Sequence, residues 1–287
     1  MAEEMSRSWL LPIINMDELK TYFSADNFNL YFDDSFRALK LFEPKSVDMI
    51  FADPPYFLSS GGVSCHSGKQ VIVDKGERDK SLSISEKLEF NRKRIALCRN
   101  LLKDDGTIWI SGTFHNIYSI GVALELEGFS IINNITWEKP NPSPNLACRC
   151  FTNSTETVLW ARKQLTKTKK GKHFFNYELM KEINSGKQMK DVRKINLPKK
   201  SEKIYGKHPT QKPLELLERI ILASTKEGDV ILDPFNGSGT TGLVAAKLKR
   251  KYIGIENNFD FIELTIKRYK GDKIIDNNWR KELFKKE

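Results

Sequence analysis

Short apolar runs alternate along this sequence with amphipathic stretches of helical length. The runs end abruptly in polar residues, glycine or proline, as buried parallel strands do. Strands that alternate with helices imply a mostly parallel sheet with helices on both faces, so we predict an α/β, doubly wound fold. The predicted strands are residues 30–32, 47–52, 107–111, 130–137, 156–161, 229–232 and 251–255. The predicted helices are residues 86–102, 118–127, 213–225, 240–248 and 259–269.

The length of 287 residues fits one large α/β domain or two small ones. A hydrophobic fraction of 39% and a charged fraction of 29% are typical of a folded rather than a disordered chain. The longest apolar run near the start, residues 9–14, is too short for a membrane span or a secretory signal. The four cysteines form no CxxC pair and no metal-ligand spacing with the four histidines. We therefore expect reduced thiols, no metal site, no membrane contact and a cytoplasmic location.

The excess positive charge of the chain, a formal +10, lies in one segment. Residues 162–207 hold 15 basic and 4 acidic side chains, a net of +11, which leaves a net of −1 for the rest. Aromatic residues are interleaved with these cations, and phosphate neutralisation together with base stacking is typical of nucleic-acid surfaces. A solvated, lysine-rich insertion is the alternative. The candidate nucleic-acid contacts are Lys169, Lys170, Lys172, Lys187, Lys190, Arg193, Lys194, Lys199 and Lys200.

The stretch VILDPFNGSGTTG runs from a predicted strand through a glycine turn into a helix. Gly237, Gly239 and Gly242 satisfy G-x-G-x-x-G, and the next strand ends in Glu256, which could accept hydrogen bonds from ribose hydroxyls. Asp233 lies where a pyrophosphate-binding turn presents bare amides, so it disfavours phosphate and suits the cationic amino-acid portion of S-adenosylmethionine. The alternatives are a tight connection without a ligand and an aspartate that only caps the turn.

The tetrapeptide Asp53-Pro54-Pro55-Tyr56 follows a predicted buried strand. Two prolines fix φ and lack amide hydrogens, so the turn is stiff and presents rigid acceptors. If the Asp53 carboxylate and the Pro54 carbonyl accept the two N–H groups of an adenine amine, its delocalised lone pair becomes available to a sulfonium methyl group. Tyr56 could then stack on the base. The alternative is an ordinary strand that ends at proline.

Together these motifs resemble one family. An Asp-Pro-Pro-Tyr turn, a basic segment, and a glycine turn followed by an acidic strand end occur in this order in the beta class of DNA amino-methyltransferases, which use S-adenosylmethionine. The resemblance covers residues 28–270 and extends to the second adenine methyltransferases of DpnII-type restriction systems. It implies a Rossmann-like methyltransferase fold in circularly permuted order, with a basic target-recognition insertion.

The resemblance also assigns roles position by position. It implies catalysis by Asp53, Pro54, Pro55 and Tyr56. It implies cofactor binding by Asp34, Asp53, His208, Thr210, Lys212, Asp233, Phe235, Gly237, Gly239, Thr240, Thr241, Glu256 and Asn257. The loop after the strand at 130–137 lies near the flipped base in the family, so the candidate base pocket is Tyr56, Trp137, Asn141 and Asn145.

The same comparison divides the chain into parts. They are an extension at 1–27, the catalytic half at 28–161, the target-recognition segment at 162–207, the cofactor-binding half at 208–272 and a tail at 273–287. Residues 59–80 show no apolar period and hold four glycines, so we predict a long functional loop there.

The predicted function is methyl transfer from S-adenosylmethionine to adenine N6 in a short DNA sequence. The resemblance suggests GATC as the target, a cognate restriction endonuclease as functional partner, and a homodimer as one candidate assembly. Because single-stranded DNA spares the cost of unstacking the base, we also expect activity on single strands. Three alternatives remain: a cytosine-N4 methyltransferase, a nicotinamide-dependent oxidoreductase and a non-catalytic nucleic-acid-binding protein.

Overall fold

The structure is a computed structural model that describes residues 19–57, 63–66, 69–72, 82–166 and 172–272. Its strands are β1 (Thr21–Ala25), β2 (Phe28–Phe32), β3 (Val47–Ala52), β4 (Val63–His66), β5 (Lys69–Ile72), β6 (Leu102–Gly112), β7 (Phe129–Glu138), β8 (Thr155–Lys163), β9 (Val192–Lys194), β10 (Val230–Asp233) and β11 (Lys251–Glu256). Nine strands form one sheet in the order β1-β2-β11-β10-β3-β6-β8-β7-β9. The five from β2 to β6 in that order are mutually parallel, which confirms the predicted mostly parallel sheet.

Helices cover both faces of the sheet. They are α1 (Ser35–Ala38), α2 (Ile84–Leu101), α3 (Ile117–Leu126), α4 (Tyr177–Ile183), α5 (Leu214–Ser224), α6 (Thr240–Lys247) and α7 (Phe259–Asp272). Helices α1, α2 and α3 contribute to one buried apolar cluster, and helices α5, α6 and α7 contribute to a second. This is the doubly wound arrangement. Within the described ranges, no helix combines the length and apolar composition needed to cross a membrane.

Strand β3 shows why apolar residues fill most positions of the central strands. Met49 and Phe51 belong to the second cluster, whereas Ile50 and Ala52 belong to the first. Successive side chains of a strand point to opposite faces, so a strand covered on both sides carries apolar residues on both faces. The apolar runs in the sequence therefore mark the strands that lie between the two helical layers.

Strand β8 departs from the parallel arrangement that its apolar run predicts. It is antiparallel to both of its neighbours, with Thr157 opposite Gly112 of β6 and Glu156 opposite Trp137 of β7. An antiparallel strand begins where its neighbour ends. The start of β8, including Glu156, therefore lies at the edge of the sheet where β3 and β6 end.

Four strands lie where the sequence predicts none. Strand β1 falls within residues 1–27 and pairs with β2, so the sheet begins before residue 28. Strand β9 lies in the basic segment and pairs with β7, so this segment supplies an edge of the sheet. Strands β4 and β5 pair as a hairpin within the predicted loop at 59–80, so the described part of that region is not a loop. Edge strands and isolated hairpins are not covered on both faces, so they lack the continuous apolar run that identifies buried strands.

Gly242 is the point at which α6 packs most closely against the sheet. A Cβ at this position would lie 2.4 Å from Tyr252 Cε1 and 2.6 Å from Phe28 Cε2. We expect Gly242→Ala to lower the free energy of unfolding by about 1–3 kcal/mol, because the added methyl group displaces aromatic rings. Urea unfolding followed by circular dichroism measures the change.

Gly121→Ala on α3 is the matched control for this prediction. The nearest atom to a Cβ there is Leu159 Cδ1 at 3.7 Å, an ordinary contact. Alanine in a helix interior is expected to stabilise the fold by about 0.5–1 kcal/mol relative to glycine. Equal unfolding midpoints for the two variants would contradict the close approach of α6.

Candidate active site

The ends of β3 and β10 define the site. The two strands pair in parallel, with Ile50 opposite Leu232, and they lead into Asp53 and Asp233. The chain order reverses between them, since β6 lies beyond β3 on one side and β11 lies beyond β10 on the other. Ligands of open α/β sheets bind in the crevice at such a reversal. The fold therefore brings the two motifs together from distant parts of the sequence.

A cavity of about 370 Å³ opens at this reversal, a volume in the usual range of small-molecule sites, about 300–1,000 Å³. Of the residues that the sequence assigns to catalysis and cofactor binding, it is lined by Asp34, Asp53, Pro54, Pro55, Tyr56, His208, Thr210, Lys212, Asp233, Phe235, Gly237, Thr240, Thr241, Glu256 and Asn257. Five segments that are separate in sequence thus line one cavity.

Glu256 ends β11 and is oriented by backbone amides. Its Oε2 accepts a hydrogen bond from the Gly237 N–H at 2.9 Å. Its Oε1 accepts from the N–H groups of Asn257 at 3.0 Å and Asn258 at 2.8 Å. A carboxylate held in this way at a strand end suits the hydroxyl pair of a ribose.

Asp233 is buried at the end of β10, with 2% of its surface exposed. The Thr241 hydroxyl donates to Oδ2 at 2.7 Å, and the Phe235 N–H donates to Oδ1 at 3.0 Å. Burial raises the pKa of Asp233 to about 7, although these hydrogen bonds lower it in part. A cationic ligand would favour its ionised form.

The two glycines at the turn have different roles. Gly237 has φ +52° and lines the cavity, and a Cβ there would lie 3.2 Å from His208 Nε2. Gly239 has φ +73°, and a Cβ there would lie 2.3 Å from Thr265 Cγ2 on α7. Gly239 is not one of the described residues that line the cavity. The close approach to Thr265 gives Gly239 a packing role between α6 and α7, and the cofactor contact stays a prediction.

The cavity wall carries an excess of negative charge. Five acidic residues line it: Asp33, Asp34, Asp53, Asp233 and Glu256. Among the described lining residues, Lys212 is the only lysine or arginine. Such a wall repels a pyrophosphate and attracts the sulfonium and amino groups of S-adenosylmethionine. The residues present fit this cofactor and disfavour a nicotinamide dinucleotide.

Asp53 belongs to a network of charged groups that is largely withdrawn from solvent. Its Oδ1 accepts from the Tyr56 hydroxyl at 2.7 Å, and its Oδ2 accepts from Lys212 Nζ at 2.5 Å. Lys212 Nζ also donates to the Tyr56 hydroxyl at 2.8 Å and lies 3.5 Å from Glu156 Oε2. Lys139 Nζ lies 2.6 Å from Glu156 Oε1. The side chains of the four charged residues are only 6–18% exposed, and their charges balance.

These groups hold one another in defined protonation states. Burial alone lowers the pKa of Lys212, but Asp53, Tyr56 and Glu156 raise it well above its usual value. Burial raises the pKa of Glu156, but Lys212 and Lys139 bring it below its usual value. Burial and the Asp53 carboxylate raise the pKa of the Tyr56 phenol well above its usual value. At neutral pH the lysine is therefore charged, the glutamate ionised and the tyrosine protonated.

A protein family described as DNA methylase matches residues 47–267, from the start of β3 into α7. This match takes in the catalytic turn, the basic segment and the glycine turn. The chain belongs to the DNA methylase family.

Three Type II methyltransferases are similar to this methylase over most of their length. M2.LlaDCHI of Lactococcus lactis subsp. cremoris is 61% identical, and the alignment covers 87% of this chain and 91% of that protein. M2.DpnII of Streptococcus pneumoniae is 59% identical, with 88% and 93% covered. M2.MboI of Moraxella bovis is 51% identical, with 88% and 91% covered.

Solved structures agree with the family assignment. The complex of M1.HpyAVI with SAM is 31% identical with a TM-score of 0.62, and the match covers 83% of this chain and 97% of that one. The cytosine-N4-specific PvuII DNA methyltransferase has a TM-score of 0.70 at 20% identity, with 93% and 94% covered, and it shares the fold. The methylase is therefore a DNA methyltransferase with S-adenosylmethionine as its cofactor, and the oxidoreductase and non-catalytic alternatives are wrong.

Two residues of the methylase site, Glu156 and Lys139, are missed by sequence reasoning. Lys139 follows β7, and Glu156 lies at the start of β8. A parallel β8 would place Glu156 at the opposite edge of the sheet, whereas the antiparallel β8 brings it to the catalytic edge. The one indication in the sequence is that Glu156, an acidic residue, stands at the start of an otherwise apolar run.

Three of the predicted base-pocket residues do not line the cavity within the described part of the methylase. Trp137 is 1% exposed, and its indole N–H donates to the Ile195 carbonyl at 2.8 Å. A buried indole cannot stack on a base, so the role predicted for Trp137 is wrong. Asn145 Nδ2 donates to the Cys150 carbonyl at 2.8 Å within its own loop, and Asn141 is exposed. Tyr56 does line the cavity.

The predicted nucleic-acid contacts of the methylase lie on its surface where they are described. Lys172, Lys187, Lys190, Lys194, Lys199 and Lys200 are exposed, Arg193 is half-buried, and Lys169 and Lys170 lie outside the described residues. The end of the basic segment is tied to the cavity wall, because the Glu202 carbonyl accepts from Gln211 Nε2 at 2.9 Å. Of the aromatic residues in this segment, His173 and Phe175 pack on Trp160, with ring centroids 5.1 and 5.7 Å away.

The pKa of Asp233 predicts how cofactor binding depends on pH. Because this pKa is about 7 and the cofactor carries positive charge, the ionised carboxylate binds the cofactor more tightly. We expect the affinity for S-adenosylmethionine to fall about tenfold for each pH unit below 7 and to level off above it. Calorimetric titrations across neutral pH measure this dependence.

His208→Gln is the control for the pH profile, because it removes the histidine side chain that lines the same wall. The profile is expected to persist in this variant and to flatten in Asp233→Asn. An affinity that stays constant across neutral pH in the wild-type protein would show that Asp233 does not face the cofactor's charge.

Proposed function

We propose that this methylase is the adenine-N6 methyltransferase of a Type II restriction system and protects GATC sequences from a cognate endonuclease. The observation that carries the proposal is the Asp53-Pro54-Pro55-Tyr56 turn at a strand end next to Asp233, on one acidic cavity. An acid at the first position of this turn is typical of adenine-N6 enzymes in the family that the sequence resembles. Identities of 51–61% to three Type II methyltransferases support the restriction-system role.

The turn is built to present acceptors to an amino group. Pro54 and Pro55 fix the backbone, and Asn116 Nδ2 donates to the Pro55 carbonyl at 3.2 Å, which anchors the turn to the sheet edge. Asp53 and the Pro54 carbonyl would each accept one N–H of adenine N6. The nitrogen then becomes more tetrahedral, and its lone pair is no longer delocalised into the ring.

The bound cofactor supplies an electrophilic methyl group on a sulfonium. The residues of the turn hold the amino nitrogen beside it, and Tyr56 holds the base from the cavity wall. The proton that N6 must lose after the transfer passes to the Asp53 carboxylate, the acceptor that already holds that N–H. The target base has to leave its stack to reach this position, which costs a few kcal/mol in a duplex and less in a single strand.

We further propose that residues 162–207 recognise the target sequence, between a catalytic half at 28–161 and a cofactor-binding half at 208–272. The surface exposure of the lysines of this segment and the link from Glu202 to the cavity wall support this division. Because the substrate is DNA, we propose a cytoplasmic location. A homodimer and a functional pairing with an endonuclease complete the proposal.

Analysis of methylated nucleosides tests the reaction. We expect labelled S-adenosylmethionine to yield N6-methyladenine with GATC oligonucleotides, both duplex and single-stranded, and little label when the site is scrambled. Labelled N4-methylcytosine would instead identify a cytosine-N4 enzyme. Strict dependence on duplex DNA would contradict the single-strand activity.

Replacement of Asp53 tests the mechanism. We expect Asp53→Ala to lower kcat by about 10²–10³-fold, because one of the two acceptors for the amino group is lost. Equilibrium binding of the cofactor is measured on the same preparation. Undiminished methyl transfer by a variant that still binds the cofactor would overturn the mechanism.

Salt dependence tests the DNA-contact segment. We expect Lys187→Gln with Lys190→Gln to weaken binding of all sequences alike and to reduce the slope of log affinity against log salt by about 2. The control replaces two exposed lysines outside the segment, Lys93 and Lys267. If the control changes the slope as much as the test variant, the contact surface lies elsewhere.

A further inference from the structure

Each oxygen of the Asp53 carboxylate already accepts a short hydrogen bond in this structure. Tyr56 donates to one oxygen at 2.7 Å, and Lys212 donates to the other at 2.5 Å. The proposed function requires the same carboxylate to accept an N–H from the target base. A carboxylate oxygen has room for a second hydrogen bond, but the base N–H would share that oxygen with Tyr56 or with the Lys212 ammonium, which compete for it. Transfer of one of these donors to another acceptor would remove the competition.

Both donors have the same second acceptor. Glu156 Oε2 lies 3.4 Å from the Tyr56 hydroxyl and 3.5 Å from Lys212 Nζ. These distances exceed the usual donor–acceptor distances, which are about 2.7–3.2 Å for an N–H donor and about 2.5–3.0 Å for an O–H donor. Among the described contacts, Oε2 therefore has no short hydrogen bond, although the side chain is only 12% exposed. A buried carboxylate oxygen without a close donor is costly, so such an atom calls for an explanation.

The other oxygen of Glu156 is fixed. Lys139 Nζ lies 2.6 Å from Oε1, and the residue is held in β8 opposite Trp137. The pair with Lys139 would satisfy Glu156 as a structural residue. That pair does not explain why Oε2 points towards Tyr56 and Lys212, the two residues that donate hydrogen bonds to Asp53.

We propose that Glu156 is a positioning residue that takes over the Lys212 ammonium, and with it the Tyr56 hydroxyl, when the amino group of the target base docks on Asp53. This role rests on the proposed function. The ammonium passes from one carboxylate to another within the same cluster, so no buried charge is left unpaired. No proton is transferred, and the net charge of the cluster does not change.

Glu156→Gln tests the role while it preserves the shape of the side chain. A neutral amide binds an ammonium more weakly than a carboxylate does, so Lys212 would stay on Asp53 and compete with the base. We expect kcat to fall about 10- to 100-fold, the usual effect of losing a hydrogen bond to a charged group. Cofactor affinity should stay within about twofold, since Glu156 is not among the described residues that line the cavity.

Glu127→Gln is the matched control. Glu127 is also a partly buried glutamate in an ion pair, 19% exposed and 2.7 Å from Arg92, but it lies at the end of α3 away from the site. Its replacement should leave kcat unchanged. Wild-type kcat in Glu156→Gln would overturn the inference.

A double-mutant cycle separates positioning from a merely structural role. If Glu156 acts through Lys212, then Glu156→Gln should change kcat by less than about threefold in a Lys212→Met background, because no ammonium remains to be moved. Independent, additive losses in the cycle would mean that Glu156 only supports the fold, and would overturn the inference.

A structure with the target oligonucleotide and S-adenosylhomocysteine gives a readout that does not depend on activity or on the folding of any variant. We expect Lys212 Nζ to be hydrogen-bonded to Glu156 Oε2 and the base amino group to be bonded to Asp53. Lys212 still bonded to Asp53 beside a docked base would overturn the inference. If instead the wild-type enzyme methylates no amino group in DNA, the proposed function fails, which is a different result.

Discussion

The parallel pairing of β3 with β10 is the constraint on which the site depends. It fixes Asp53 and Asp233 at neighbouring strand ends, and the carboxylate of Asp53 is one of the charges that raise the pKa of Asp233, after burial itself. Acids placed so close in a protein interior need donors and cations. Thr241 and a backbone amide supply donors for Asp233, and Lys212 supplies a cation for Asp53. A cationic cofactor completes this balance, because the cavity wall still carries excess negative charge.

The network around Asp53 has a cost that only function explains. Buried ion pairs gain little stability over apolar packing, since each charge must first lose its water. Here Lys139, Lys212, Asp53 and Glu156 form ion pairs and are largely withdrawn from solvent. They lie beside a turn that two prolines make rigid. This arrangement holds the Asp53 carboxylate in one position. It also places Glu156 near Tyr56 and Lys212, the two residues that donate to Asp53. It fixes the position of Asp53 more than it stabilises the fold.

The basic segment and the cavity wall of this methylase belong to one hydrogen-bonded framework. The basic segment adds β9 to the edge of the sheet, and Glu202 near its end bonds Gln211, which precedes Lys212. A displacement of the basic segment would therefore also shift the residue next to Lys212, which pairs with Asp53. The fold itself is shared with the PvuII enzyme at only 20% identity, so the specific chemistry resides in these side chains and not in the architecture.

The sequence alone determined the central strands, the two motifs and the location of the positive charge. Apolar runs such as 47–52 follow from burial on both faces, and the turns at Asp53 and Asp233 are local features that their own residues specify. Only the tertiary structure decided the direction of β8, because an apolar run reads the same whichever way the strand points. That direction brings Glu156 to Lys212, while the packing of the sheet buries Trp137 and turns Gly239 towards α7. These outcomes depend on contacts between residues far apart in the chain, so they cannot be predicted from a local sequence pattern.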